Sequence, residues 1–142
     1  MLKEIHNRYT ELDLDSCSNA ESEGWIFETV LNFVKPKNIL EIGFYRGGSS
    51  FLMLSLCDAK LTSIDPIFND TDLYLGRKKE DEFLIHAKEF ESVDKIKKEF
   101  GDRFSFIRKR SDDELPEILG QQFDLLNMDG CHHTEAVRND FN

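Results

Sequence analysis

A glycine-rich turn between two apolar segments carries the clearest potential for chemistry. Ile39–Ser50 reads I-L-E-I-G-F-Y-R-G-G-S-S, and the apolar run Phe51–Leu56 follows it directly. This order of residue types predicts a strand, a turn and then a buried helix. Gly43 would let the backbone bend sharply as it leaves the strand. We expect a ligand cradle here, because open α/β sheets bind their ligands at the carboxyl ends of strands.

The second half of the turn is suited to close contact with a ligand. Gly47 and Gly48 have no side chains, so a ligand can approach the main chain. Ser49 or Ser50 can cap the following helix, whose first N–H groups point back at the turn. The alternative is a glycine-rich strand-to-helix turn of some other α/β protein, with no ligand.

A carboxylate follows the next predicted strand. Leu61–Ile64 ends in Asp65 and Pro66, roughly twenty residues beyond the turn. A carboxylate has only acceptors, so Asp65 could accept hydrogen bonds from both hydroxyls of a ribose. An aspartate before proline is also common in plain turns. Together with the glycine-rich turn, the ligand-binding interpretation of Asp65 is favoured.

A polar cluster follows the last predicted strand. Phe123–Met128 is apolar except for Asn127, and D-G-C-H-H comes directly after it. Asp129 would therefore lie at the carboxyl edge of the sheet, beside the glycine-rich turn. His132 and His133 could instead be polar residues at a helix N-terminus. A zinc site is a further alternative, but no additional Cys/His pair supports it.

The rest of the chain predicts the elements that position these groups. One further strand is expected at Phe104–Ile107, and an amphipathic helix is expected before it, ending near Phe100. The segment Asn69–Asp81 is expected to be an exposed insertion. A helix that packs on the core ahead of the first strand is expected from the apolar stripe of Trp25, Ile26, Thr29, Val30, Phe33 and Val34.

Length and composition restrict the class of protein. The chain has 142 residues, 39% of them hydrophobic, including twelve Phe, which suits one domain over residues 1–142. The net charge of −10 argues against nucleic-acid and anionic membrane partners. The three cysteines form no paired pattern, which fits a reducing cytosol. Without a visible signal peptide or membrane-spanning run, a cytoplasmic location is expected.

Two motifs carry a family resemblance. E-I-G-F-Y-R-G-G-S-S resembles the glycine-rich motif of class I S-adenosylmethionine-dependent methyltransferases, including macrolide-sugar O-methyltransferases and cephalosporin-hydroxylase-like proteins. A dinucleotide fingerprint would need a glycine at Tyr45. F-D-L-L-N-M-D-G-C-H-H resembles the family's fourth strand, a hydrophobic run followed by Asp-Gly-x-His. The resemblance spans Ala20–Asn142.

The resemblance implies a fold and a cofactor. The fold would be α/β, a Rossmann-like doubly wound sheet with four parallel strands in the order 3-2-1-4. The cofactor would be S-adenosylmethionine. Arg110 stands where the family often has glycine before the segment that meets adenine. The residues implied to hold the cofactor are Glu41, Gly43, Phe44, Gly47, Gly48, Ser49 and Asp65, with Ser111 and Asp112 near the adenine ring.

The resemblance also implies a reaction. Asp129 matches a residue that binds Mg²⁺ in metal-dependent members, and His132 matches a proposed general base. Methyl transfer to the hydroxyl of a small metabolite or sugar is expected. The alternative is a non-catalytic module that binds S-adenosylmethionine and acts through a partner chain.

The family's sheet continues with a fifth strand and an antiparallel hairpin, which this sequence lacks. The chain is therefore expected to be a fragment, a form completed by another copy or another polypeptide, or a minimal relative. A homo-oligomer or completion by another chain is the expected assembly.

Overall fold

The computed structural model describes residues 1–14, 22–66, 79–111, 120–130 and 138, with backbone alone for 79–87. Its strands are β1 (Asn38–Ile42), β2 (Lys60–Ile64), β3 (Phe104–Ile107) and β4 (Leu125–Met128). They form one sheet in the order β3-β2-β1-β4, and every neighbouring pair is parallel. The predicted Rossmann-like α/β arrangement and strand order are confirmed.

Helices connect and flank the strands within the described part of the chain. They are α1 (Leu2–Glu11), α2 (Gly24–Val34), α3 (Gly48–Leu56) and α4 (Lys79–Phe100), and a 3₁₀ turn (Gly101–Arg103) leads into β3. Two further helices that the sequence predicts, Asp113–Leu119 and one capped by Thr134 that runs through Phe141, lie almost entirely outside the described residues, as does most of the predicted insertion.

The two faces of the sheet hold separate apolar clusters. Alternate strand residues point to opposite faces, so Ile39 and Leu61 face α3 while Leu40 and Ile64 face the other way. The larger cluster lies on the α3 side, where Phe51 is buried against these strands. The glycine-rich turn therefore leaves the sheet directly above the main core.

Helix α3 is the centre of this core. Every residue from Gly48 to Leu54 is buried, as expected of a helix that is apolar on all sides. Its carboxyl end is held by Arg103, whose guanidinium donates to the carbonyl oxygens of Leu54 (2.9 Å) and Cys57 (2.7 Å). These bonds use carbonyl groups that a helix end leaves without an internal partner.

The prediction of which face of α2 packs on the core is wrong. The helix forms, but Gly24 and Leu31 are its buried residues, and the predicted stripe lies on the opposite, exposed side. The buried side packs mainly on α3, and Gly24 also approaches α1, where a Cβ would lie 2.9 Å from Cδ2 of Leu2. Absence of that side chain lets α1 pack closely on this face. Since α2 is apolar on both faces, periodicity alone could not decide which would be buried.

Candidate functional site

The glycine-rich turn has an unusual backbone at the carboxyl end of β1. Three of its residues have positive φ: Gly43 (95°), Tyr45 (48°) and Gly47 (76°). A Cβ on Gly43 would lie 2.3 Å from the carbonyl oxygen of Asp129, so only glycine fits. This close approach brings the ends of β1 and β4 together at one edge of the sheet.

Asp65 fixes the turn from the neighbouring strand. Its Oδ2 accepts hydrogen bonds from the backbone N–H groups of Phe44 (2.7 Å) and Tyr45 (3.1 Å). The side chain is half-buried at the carboxyl end of β2. Asp65 therefore lies where the sequence predicted, and it shapes the turn. Its predicted contact with a ribose remains a prediction.

Gly47 makes room for protein side chains. A Cβ on this residue would lie 2.4 Å from Cδ1 of Ile96 and 2.7 Å from Cζ of Phe44. The Phe44 ring is buried and packs on Phe104 and Phe106, with ring centroids 5.9 and 5.1 Å apart. The Phe44 side chain therefore belongs to the core, and its predicted contribution to a ligand site stays a prediction.

Glu41 lies beneath the turn as a fully buried carboxylate. Its Oε1 accepts from the hydroxyl of Ser49 (2.5 Å) and the amide of Asn127 (3.3 Å). Its Oε2 accepts from the hydroxyls of Ser50 and Ser63 (2.8 Å for Ser63). These four donors fill the acceptor sites of a carboxylate. The group thereby links β1, β2, β4 and the first turn of α3.

Protonation of Glu41 reflects two opposing effects. Burial raises the pKa of this carboxyl above its ordinary value, while the hydrogen bonds from the three serines and Asn127 lower it. Burial is the larger effect, because desolvation disfavours the charged form of a carboxylate. Glu41 is predicted to help hold the cofactor; its carboxyl group is bonded to protein donors, and the predicted role stays a prediction.

The predicted serine cap of α3 is wrong. The helix begins at Gly48 with Gly47 as its N-cap residue, and no side chain caps it. Ser49 and Ser50 lie inside the first turn and donate their hydroxyls to Glu41. In the part of the chain that the structure describes, no side chain caps the first N–H groups of α3, which face the glycine-rich turn. A helix end of this kind favours polar or anionic ligand groups.

The other predicted site residues are only partly described. Asp129 is exposed directly after β4, and its N–H donates to the carbonyl of Ile42 (2.8 Å). Ser111 is half-buried beyond the carboxyl end of β3. Asp112 and His132 lie outside the described residues. The carboxyl edge thus brings together the turn, Asp65 and Asp129.

The described residues also bear on metal binding and on membrane crossing. No group of three or more His, Cys, Asp or Glu side chains in the described part of the chain comes together as a metal site. Asp129 as a magnesium ligand stays a prediction. None of the helices within the described ranges combines the length and apolar character needed to cross a bilayer.

Sequence reasoning missed the polar network around Glu41. In the sheet register Glu41 is paired with Ser63 on one side and Asn127 on the other. The alignment of these three polar residues in neighbouring strands could have indicated the buried network. Arg46 was also missed: it is buried in the turn, and its guanidinium donates to the carbonyl of Asp13 (3.3 Å).

Comparison with known proteins identifies the family. The model of a family described as a methyltransferase domain matches residues 40–142, well over half of the chain. The chain therefore belongs to this methyltransferase domain family. A curated relative, the ribosomal RNA small subunit methyltransferase H of Rickettsia prowazekii, is 31% identical over 103 residues, which cover 70% of this chain and 28% of the relative.

Solved structures share the fold. The SAH-bound methyltransferase PaMTH1 of Podospora anserina superposes with a TM-score of 0.58 at 21% identity, covering 99% of this chain and 53% of that one. An O-methyltransferase of Bacillus cereus in complex with SAH has a TM-score of 0.53 at 17% identity, covering 91% and 53%. The SAM-bound O-methyltransferase TomG of Streptomyces achromogenes has a TM-score of 0.51 at 20% identity, covering 90% and 52%. The chain spans about half the length of these structures.

Proposed function

We propose that this chain binds S-adenosylmethionine and belongs to an enzyme that methylates a hydroxyl group of a small metabolite or sugar. Membership of the methyltransferase domain family supports the class of reaction. The O-methyltransferases among the solved structures support oxygen as the acceptor atom. One observation carries the proposal: the glycine-rich turn is held by Asp65 directly in front of an uncapped helix N-terminus.

The residues at the turn fit the cofactor's polar groups. The N–H groups of the first turn of α3, at Gly48 and Ser49, suit its amino-acid carboxylate. Asp65 offers carboxylate oxygen to the ribose hydroxyls. Ser111, beyond the carboxyl end of β3, would meet the adenine ring, with Asp112 beside it. Glu41 contributes indirectly, because its bonds to Ser49 and Ser50 orient the first turn of α3.

The acceptor would bind at the end of β4. When bound, S-adenosylmethionine supplies a sulfonium methyl group that an oxygen nucleophile can attack. Asp129 is exposed beside the turn and offers the hard oxygen ligands that Mg²⁺ prefers. His132 would accept the proton of the acceptor hydroxyl, a role suited to an imidazole with a pKa near neutrality.

A small acceptor fits the charge of the chain better than RNA does. The curated relative is named for ribosomal RNA, but this chain covers only 28% of it. The net charge is −10, whereas proteins that bind nucleic acid usually carry a basic face. We therefore propose a metabolite or sugar, and methylation of an RNA substrate in place of small hydroxylated compounds would contradict this choice.

Calorimetry on the full chain tests the cofactor. We expect S-adenosylmethionine and S-adenosylhomocysteine to bind and NAD not to bind. Asp65→Ala should weaken binding by roughly 1.5–3 kcal/mol, the range for hydrogen bonds to a charged group. Preferential binding of NAD would refute the proposal.

Asp124→Ala is a matched control for Asp65→Ala. The Oδ2 of Asp124 also accepts two backbone N–H groups, from Lys37 (2.7 Å) and Asn38 (2.9 Å), but at the amino end of β1. Both variants lose the same kind of bond at opposite edges of the sheet. Only the Asp65 variant should lose cofactor affinity; equal losses would show a general effect of destabilisation.

We further propose that another polypeptide segment covers the outer side of β4. In the described sheet β4 pairs with β1, and Leu126 is 44% exposed. An apolar strand with unpaired edge groups favours association. Hydrogen exchange of the N–H groups of Leu125–Met128 that point away from β1 should be fast in the isolated chain and slow in the complete assembly. Strong protection in the isolated monomer would contradict this assignment.

A further inference from the structure

An apolar surface on α2 has no role in the site described above. We call it the α2 face, and its most exposed aromatic residues are Phe33 (89% exposed) and Trp25 (60% exposed). The opposite side of the helix is buried through Gly24 and Leu31. A helix that is apolar on both sides usually contacts two neighbours. The residues of the α2 face are Trp25, Ile26, Thr29, Val30, Phe33 and Val34.

The polar atoms of the α2 face already have hydrogen-bond partners. The indole N–H of Trp25 donates to the carbonyl of Ser22 (3.0 Å), and the hydroxyl of Thr29 donates to the carbonyl of Trp25 (2.7 Å). None of the six side chains is charged. Covering this face therefore leaves no polar side-chain group without a partner, the condition for a dry protein interface.

The order of side-chain sizes on the face is self-complementary. Trp25, Thr29 and Phe33 lie at i, i+4 and i+8, so they form one row about 12 Å long. The side chains at both ends of the row are large, and the side chain in the middle is small. Two antiparallel copies would cross at Thr29, and Trp25 of each copy would pack beside Phe33 of the other. An isologous two-fold contact requires this kind of self-complementarity.

We propose that the α2 face binds the α2 face of a second copy of this chain in an antiparallel two-fold pair. With two exposed aromatic rings, the face offers roughly 500 Å² per copy. Two copies would bury about 1,000 Å², the lower limit for a specific interface. The dimer should therefore dissociate on dilution. An anionic bilayer is disfavoured as the occupant by the net charge of −10.

Sedimentation of the full chain over a range of concentrations tests the pair. The mass should rise from 16.5 kDa towards twice that value, and added salt should strengthen association because it screens the repulsion between two acidic copies. Phe33→Glu should raise the dissociation constant of the dimer at least tenfold and leave the circular dichroism spectrum unchanged. Phe90→Glu, at a 40% exposed aromatic side chain on α4, is the control and should leave the dimer intact. Leu126→Glu tests β4 as the alternative contact.

A mixing experiment tests the antiparallel arrangement. Trp25→Lys and Phe33→Glu should each weaken self-association, but the two variants mixed should form a heterodimer in which Lys and Glu meet. The proposal is overturned by a chain that stays monomeric at about 100 μM, well above the range of a specific interface. It is also overturned if only Leu126→Glu dissociates the dimer, or if the mixture associates no better than either variant.

Discussion

Removal of the Glu41 carboxylate should be among the most destabilising single changes in this chain. The carboxylate accepts hydrogen bonds from Ser49, Ser50, Ser63 and Asn127, and it is 0% exposed. Glu41→Ala leaves these four donors without their acceptor, at about 1–3 kcal/mol for each buried unsatisfied group. Because hydroxyls can rotate to other acceptors, we expect the low end of the sum, about 4 kcal/mol. That is a large fraction of the ~5–15 kcal/mol that stabilises a typical domain.

Glu41→Gln separates the loss of hydrogen bonds from the effect of charge. The amide keeps the size of the side chain and one carbonyl acceptor, and its NH₂ can donate to hydroxyl oxygens. We expect it to cost clearly less than Glu41→Ala. Urea unfolding followed by circular dichroism measures both free energies, and a cost below ~1 kcal/mol for the alanine variant would refute the structural role of the network.

The pH dependence of the Gln variant tests the protonation of Glu41. Burial raises the pKa of the folded carboxyl above the unfolded value of about 4.3. The stabilisation linked to this proton is fully present below pH ~4.3 and is lost as pH rises through the folded pKa. The stability of the native protein relative to Glu41→Gln should therefore fall as pH rises. A rise with pH would mean that the four donors outweigh burial and hold Glu41 ionised.

Other predictions concern the backbone and the edges of the fold. Gly43→Ala should cost about 3–4 kcal/mol, because the backbone has positive φ and the new Cβ would meet backbone atoms of Asp129. Gly101→Ala is the control, because Gly101 also has positive φ but a Cβ there would have no atom within 4 Å. If thermal unfolding shows comparable costs for the two variants, the clash at Gly43 is contradicted. Arg103→Lys should cost about 1–2 kcal/mol in urea unfolding by loosening the carboxyl end of α3, and an unchanged midpoint would contradict this. Hydrogen bonds from the backbone N–H groups of Asn38 and Lys37 lower the pKa of Asp124. The native protein should therefore be more stable than Asp124→Asn at neutral pH and should lose this extra stability as the pH falls below ~4. A difference in stability that does not change with pH would contradict this.

The sheet could be predicted from the sequence because each strand is a short apolar run between clear breaks. The predicted bounds of the third strand, Phe104–Ile107, are those of the structure. The first two strands, predicted at Ile39–Ile42 and Leu61–Ile64, each begin one residue earlier in the structure. The fourth begins at Leu125 instead of Phe123. Phe123 is apolar and still packs on the smaller cluster around Leu40 and Ile64, so it contributes to the core without being part of the strand.

The buried side of α2 could not be predicted because the helix is apolar on both faces. An apolar stripe containing Trp25 and Phe33 gives the stronger periodic signal. Gly24 contributes nothing to hydrophobicity, yet it allows the close contact with Leu2. Such a contact depends on where a separate helix lies, which local sequence patterns do not contain. The exposed stripe then becomes the surface on which the proposed dimer depends.

The wrong prediction for Ser49 and Ser50 explains how the candidate site is formed. From sequence, two serines after a glycine pair indicate a helix cap. Glu41, however, is a buried carboxyl group beneath them, and a buried polar group without hydrogen-bond partners costs more than an uncapped helix end beside solvent. The serines therefore donate to Glu41. As a result, the N-terminus of α3 has no side-chain cap, and its N–H groups are directed at the turn that Asp65 holds. The network beneath the turn thus leaves the helix end accessible to the ligand that we propose.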